Sequence, residues 1–193
     1  MAEASRKIVD ILVLHHSCGP DLKNKSILEV QDWFDDCGRG WGYANFCRER
    51  GIKVDEYDTH HKHPRKDKQT YAQAQFALHE YKDSWRLITL MDDPFGSVAW
   101  GCDRGGKIDC RAISIEVCGN YFKNKLPMEA LQVIVDGFID HARNLAEKEM
   151  QFRIAGHRDF GDTECPGLIY EQLPTLTEMF MKALEEKKEA EAS

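Results

Sequence analysis

The stretch "IVDILVLHHS", residues 8–17, decides the fold. Its apolar residues run on almost without a break and are rich in β-branched side chains. A strand with one wet face alternates apolar and polar residues; a continuous run is that of a strand covered on both faces, as in a parallel sheet. The next residues, "HHSCGP", end it abruptly.

Working outward, residues 26–37 read as a helix. Ser26 is its N-cap, Glu29 completes a capping box, and Ile27, Val30, Trp33 and Phe34 form its apolar face. Residues 38–67 read as a long irregular excursion. "AQFALHEY" and "WRLITLM" follow as two short strands, with Lys82 and Asp83 between them as a hairpin turn. "DDPFG" is a turn, and "AISIEVCG" is a strand with Ile113, Ile115 and Val117 on one face. From Pro127 to Glu149 the apolar residues Leu131, Ile134, Val135, Phe138, Ala142 and Leu145 recur at helical spacing. Pro127 suits the first position of that helix. "FRIAG" is a last short strand, and a final helix starts near Tyr170 or Pro174. Its charged end, "EEKKEAEAS", lacks apolar spacing and is expected to fray.

The expected architecture is therefore α/β: a single domain with a central mixed β-sheet flanked by helices, over residues 1–180, followed by a charged tail at 181–193. Of the 193 residues, 42% are hydrophobic and 31% charged, which suits one globular core. The formal net charge of -7 argues against generic binding to nucleic acid or to anionic membranes, both of which favour a basic face. No segment approaches the roughly 20 apolar residues of a membrane span. The short apolar run near the N-terminus ends in two histidines with no small-residue cleavage site after it, so no secretion signal is expected. Seven cysteines, an odd number without a secretion signal, favour reduced thiols, and with none in a CxxC pair a finger-type structural zinc site is not expected. Cys102 and Cys110 flank a loop and are candidates for pairing under oxidising conditions.

Three residues share one setting. His15 follows the first strand, His157 follows the last, and Cys165 lies in the turn-rich loop after it, "AGHRDFGDTECPG". Two imidazoles and a thiolate are a ligand set for zinc, and three protein ligands leave a fourth position open, as catalytic sites do. The competing reading makes His157 a loop residue bonded to Asp159, with Cys165 packed under the C-terminal helix. His60, His61 and His63, in "HHKHP", sit among Lys62, Arg65 and Lys66 and read better as a solvated or substrate-facing loop than as a second metal site.

"ILVLHHS", "SVAWGCD", "AISIEVCGNY" and "AGHRDFGDTECPG" resemble, in order and spacing, the type 2 N-acetylmuramoyl-L-alanine amidases. That superfamily also holds phage amidase lysozymes and peptidoglycan recognition proteins. The resemblance covers about residues 8–170 and implies that His15, His157 and Cys165 hold Zn2+. His16 is expected to point the other way along the strand. The resemblance also implies Glu116 as general base. The tyrosine that some members use is replaced here by Ala74, and Tyr43 stands as an alternative. Thr163 falls where members carry a lysine or threonine that stabilises the oxyanion. Trp100 and Asn120 are candidate substrate contacts, although the chain reads "AWGCD" where members often read "AWHAG".

The implied activity is hydrolysis of the amide between N-acetylmuramic acid and L-alanine in peptidoglycan. The implied setting is a phage-type endolysin, made in the cytoplasm and acting on the cell wall after holin-type release. A cytoplasmic amidase recycling anhydro-muropeptides and a non-catalytic peptidoglycan-binding module are the alternatives. Retention of all three ligands speaks against the last. The oligomeric state is left open.

Overall fold

The computed structural model describes residues 8–17, 22–26, 29–30, 74–90, 95, 102 and 107–191. Tyr43, His60, His61, His63 and Trp100 lie outside them, as do the irregular excursion and most of the expected helix at 26–37. The start of that helix is as expected. Ser26 N–H donates to the Glu29 carboxylate at 2.8 Å, and Glu29 N–H donates to Ser26 Oγ at 3.3 Å, the reciprocal pattern of a capping box.

Among the described residues, five strands form one mixed sheet. They are β1 (Ile11–His16), β2 (Phe76–Tyr81), β3 (Ser84–Thr89), β4 (Ala112–Val117) and β5 (Arg153–Gly156), in the order β3-β2-β4-β1-β5. The run that opened the sequence reading is β1, and it has parallel neighbours on both sides, β4 and β5. β2 is parallel to β4, while β3 is the antiparallel edge. Lys82 and Asp83 turn the β2–β3 hairpin with φ of 48° and 58°. Positive φ at both central positions is the type I′ geometry, whose twist matches the paired strands.

The strand period of two sorts the side chains. Leu12, Leu14, Ile113, Ile115, Val117, Phe76 and Leu78 share one core cluster with the helix α1 (Met128–Ala146). Every apolar position predicted for that helix face, from Leu131 to Leu145, is buried. Leu176 and Phe180 of α2 (Leu173–Glu191) join the same cluster. The opposite face of the sheet carries smaller residues, Ile11, Val13, Ala112 and Ala155, packed with Cys102, Ile108 and Phe160.

α2 continues to Glu191, into the charged end of the sequence, with no break near residue 180. Lys187 pairs with Asp140 of α1, and Lys182 lies 3.6 Å from Glu186 one turn on. Glu, Lys and Ala are strong helix formers, so the apolar pattern ends before the helix does.

Candidate metal centre

The four parallel strands end at one edge of the sheet. In open α/β sheets that carboxyl edge is where ligands bind. His15 stands second to last in β1, and β5 ends at Gly156, immediately before His157. The His15 and His157 rings lie 4.7 Å apart at 53°. Ligating atoms of His15, His157 and Cys165 all fall within 4.8 Å of one another. In tetrahedral zinc, bonds of about 2.0–2.3 Å place neighbouring ligand atoms roughly 3.5 Å apart. The triad is thus about an ångström wider than a closed site, a gap that side-chain rotation spans. Burial lowers the pKa of His157 and favours the neutral, metal-binding imidazole. The donor set and its spacing fit zinc.

Register explains how Cys165 arrives there. The β1–β5 pairing ends at Leu14 and Gly156. His16 N–H, beyond the end of β5, donates to Cys165 Sγ at 3.4 Å. The sulfur thus accepts at the place where the ladder runs out, and an N–H bond favours its anionic form. The His16 side chain points to the other face, as expected. Its Nδ1 accepts from Tyr121 N–H at 3.1 Å, and its ring meets Phe122 edge-on.

The loop between His157 and Cys165 is tied down by its own motif. Asp159 accepts from Gly156 N–H at 2.9 Å and from Tyr170 O–H at 2.7 Å. Arg158 lies over the Tyr170 ring and donates to the carbonyls of Glu164 and Gly167. A Cβ on Gly156 would come within 2.8 Å of Pro166, so close packing demands the glycine. Gly167 has φ +66°, and a Cβ there would lie 2.5 Å from the Tyr121 carbonyl oxygen. That oxygen accepts from Leu168 N–H at 2.8 Å. Gly167→Ala is therefore expected to destabilise the fold by more than the ~1–2 kcal/mol of a left-handed backbone alone. It should weaken zinc binding as well. Urea unfolding and zinc titration read both effects, and wild-type values in both would refute the account of the loop.

Glu116 is paired in register with His15, so both side chains rise from the same face of adjacent strands. It is buried at 4% exposure. Burial first, and the Glu116 charge second, raise the pKa of Cys118 and keep that thiol protonated. Thr163 Oγ1 accepts from Cys165 N–H at 3.2 Å, which ties the threonine side chain to the loop beside Cys165. Asn120 Oδ1 accepts from Phe122 N–H at 3.1 Å in a local turn. Asn120 also lines a groove of about 300 Å³ with Lys23, Glu80, Trp85, Cys118 and Tyr121. Within that groove Lys23 and Glu80 form a 2.7 Å ion pair.

Sequence reasoning passed over Cys102 as part of the site. Its sulfur lies 3.9 Å from His15 Nε2. Among the described residues Cys102, Cys110, Cys118 and Cys165 form no disulfide, so the considered Cys102–Cys110 pair is not made. No spacing signal links Cys102 to His15, which is 87 residues away.

No protein-family model matches the chain, and no curated protein does. Solved structures do. Drosophila PGRP-LB is similar over 87% of this chain and 81% of its own, with 15% identity and a TM-score of 0.52. A variant of it in complex with tracheal cytotoxin is similar over 84% and 78%, with 16% identity and a TM-score of 0.50. The N-acetylmuramoyl-L-alanine amidase LysC from Clostridium intestinale is similar over 88% and 85%, with 15% identity and a TM-score of 0.46. What the chain shares with Drosophila PGRP-LB is its fold.

Proposed function

We propose that the chain is a zinc-dependent N-acetylmuramoyl-L-alanine amidase that cuts peptidoglycan between N-acetylmuramic acid and L-alanine. The observation that carries the reading is the convergence of His15, His157 and Cys165, with Glu116 in register beside His15. The fold supports it, and the PGRP-LB relative in complex with tracheal cytotoxin supports a muropeptide ligand.

His15, His157 and Cys165 would hold the zinc. Bound zinc supplies Lewis acidity, polarising a carbonyl and making water acidic enough to react near neutral pH. Glu116 takes the proton of the water that attacks the lactyl carbonyl carbon. Thr163 uses one lone pair on Cys165 N–H and keeps its own O–H to donate to the carbonyl oxygen as negative charge develops. The C–N bond then breaks, and Glu116 passes the proton to the leaving amine. The products are a lactyl carboxylate on the glycan and a stem peptide with a free L-alanine amine. Cys165 forms no bond to substrate. Asn120, in the groove, and Trp100 contact the muropeptide.

Mass spectrometry of products from purified sacculi tests this. Intact glycan and stem peptides beginning at L-alanine are expected, and a chelator should abolish their release. Free disaccharide muropeptides, or release unaffected by chelation, would overturn the reading. We further propose the endolysin-type setting, in which intact sacculi are better substrates than soluble anhydro-muropeptides; the opposite preference would assign the recycling role.

A further inference from the structure

Cys102 plays no part in the mechanism above, yet it is built into the floor of the site. Its sulfur lies 3.9 Å from His15 Nε2 and 3.8 Å from Ser114 Oγ. Its backbone N–H donates to the carboxylate of Asp109 at 2.9 Å, and Asp109 is only 1% exposed. Ser114 pairs in register with Val13, two residues before the His15–Glu116 pair and on the same face of the sheet. Cys102 therefore meets His15 from the sheet side, among Ile11, Val13, Ala112 and Ala155.

An imidazole that holds a metal through one nitrogen presents its other N–H to an acceptor, and that partner fixes both tautomer and ring plane. The His15 nitrogen within reach of Cys102 Sγ is Nε2, at 3.9 Å. We propose that Cys102 is a positioning residue for His15: its sulfur accepts the Nε2–H and leaves Nδ1 to the metal. The inference rests on the proposed zinc centre. Carboxylates and carbonyls commonly take this part; here the surroundings are apolar, and a sulfur atom reaches across a longer gap with no full charge to bury. Ser114 Oγ, within reach of the same sulfur, orients it.

The test uses the full chain loaded with zinc. Nitrogen-15 NMR of the His15 ring should show a proton on Nε2 and the metal on Nδ1, and X-ray absorption should show one sulfur per zinc. Cys102→Ala should lower zinc affinity, measured by chelator competition, by about 10–100-fold. It should also speed exchange of the Nε2 proton, and Cys102→Ser should restore part of both. Metal on Nε2 would overturn the proposal. So would two sulfurs per zinc, which would make Cys102 a direct ligand, or wild-type affinity in Cys102→Ala. In each of those cases the zinc centre still stands. A wild-type chain that binds no zinc would remove the centre and the proposal together.

Discussion

Glu116→Gln is expected to leave the chain folded and zinc-loaded while removing most of its hydrolysis of purified peptidoglycan. The substitution keeps the size and hydrogen-bonding reach of the side chain and removes its ability to accept a proton. Glu116 lies across from His15 in a parallel pair, where neighbouring strands run about 4.8 Å apart. Its carboxylate therefore rises beside the ligand without needing a flexible loop to bring it there. A buried carboxylate in an otherwise apolar strand also costs desolvation, which a fold retains where the group has a task. General bases contribute typically about 10²–10⁴-fold, so kcat should fall by that range with zinc content unchanged. Near wild-type turnover in Glu116→Gln would remove Glu116 from the mechanism and return attention to Tyr43. Lost zinc in that variant would show instead that Glu116 supports the metal.

Much of this arrangement was legible in the sequence, because it depends on short-range pattern. The apolar run that became β1, the helical spacing from Leu131 to Leu145 and the Lys82–Asp83 turn are local signals, and local physics honours them. His15 and His157 are readable as candidate ligands because one stands near the end of a strand and the other just past one. The order of the strands was not legible. β4 inserts between β1 and β2 although β2 and β3 come before it in the chain. Only that insertion sets Glu116 beside His15. The same holds for Cys102, whose neighbours Ser114 and His15 belong to two different strands. The role of Gly167 is written half in the motif and half in the fold. The Pro-Gly pair announces a turn, but the Tyr121 carbonyl that excludes a Cβ comes from another loop. The helical form of the tail was not legible for a simpler reason. Absence of apolar spacing predicts lack of burial, and a solvated helix needs only good helix formers and a few tethers such as Lys187 to Asp140.

Cys165→Ala should abolish both zinc retention and hydrolysis, and Cys165→Asp separates the two roles that a cysteine can play here. If the thiol is a ligand, alanine removes one of three donors. Zinc affinity should then fall by more than the ~10–100-fold that follows loss of an outer partner. Aspartate supplies an oxygen donor that zinc accepts at about 2.0–2.2 Å, so Cys165→Asp should recover much of the metal and measurable activity. If the thiol were instead a nucleophile, aspartate could not form the thioester and activity would stay lost however much metal returned. The structure favours the first outcome. Cys165 Sγ accepts from the His16 backbone N–H, and Thr163 and Arg158 hold the surrounding loop. A nucleophile also needs a base of its own, whereas the imidazole nearest this sulfur in the ligand cluster belongs to the same metal set. Zinc content by elemental analysis, read beside product release from sacculi, decides between them: metal restored in Cys165→Asp with no recovery of hydrolysis would end the ligand-only role of Cys165.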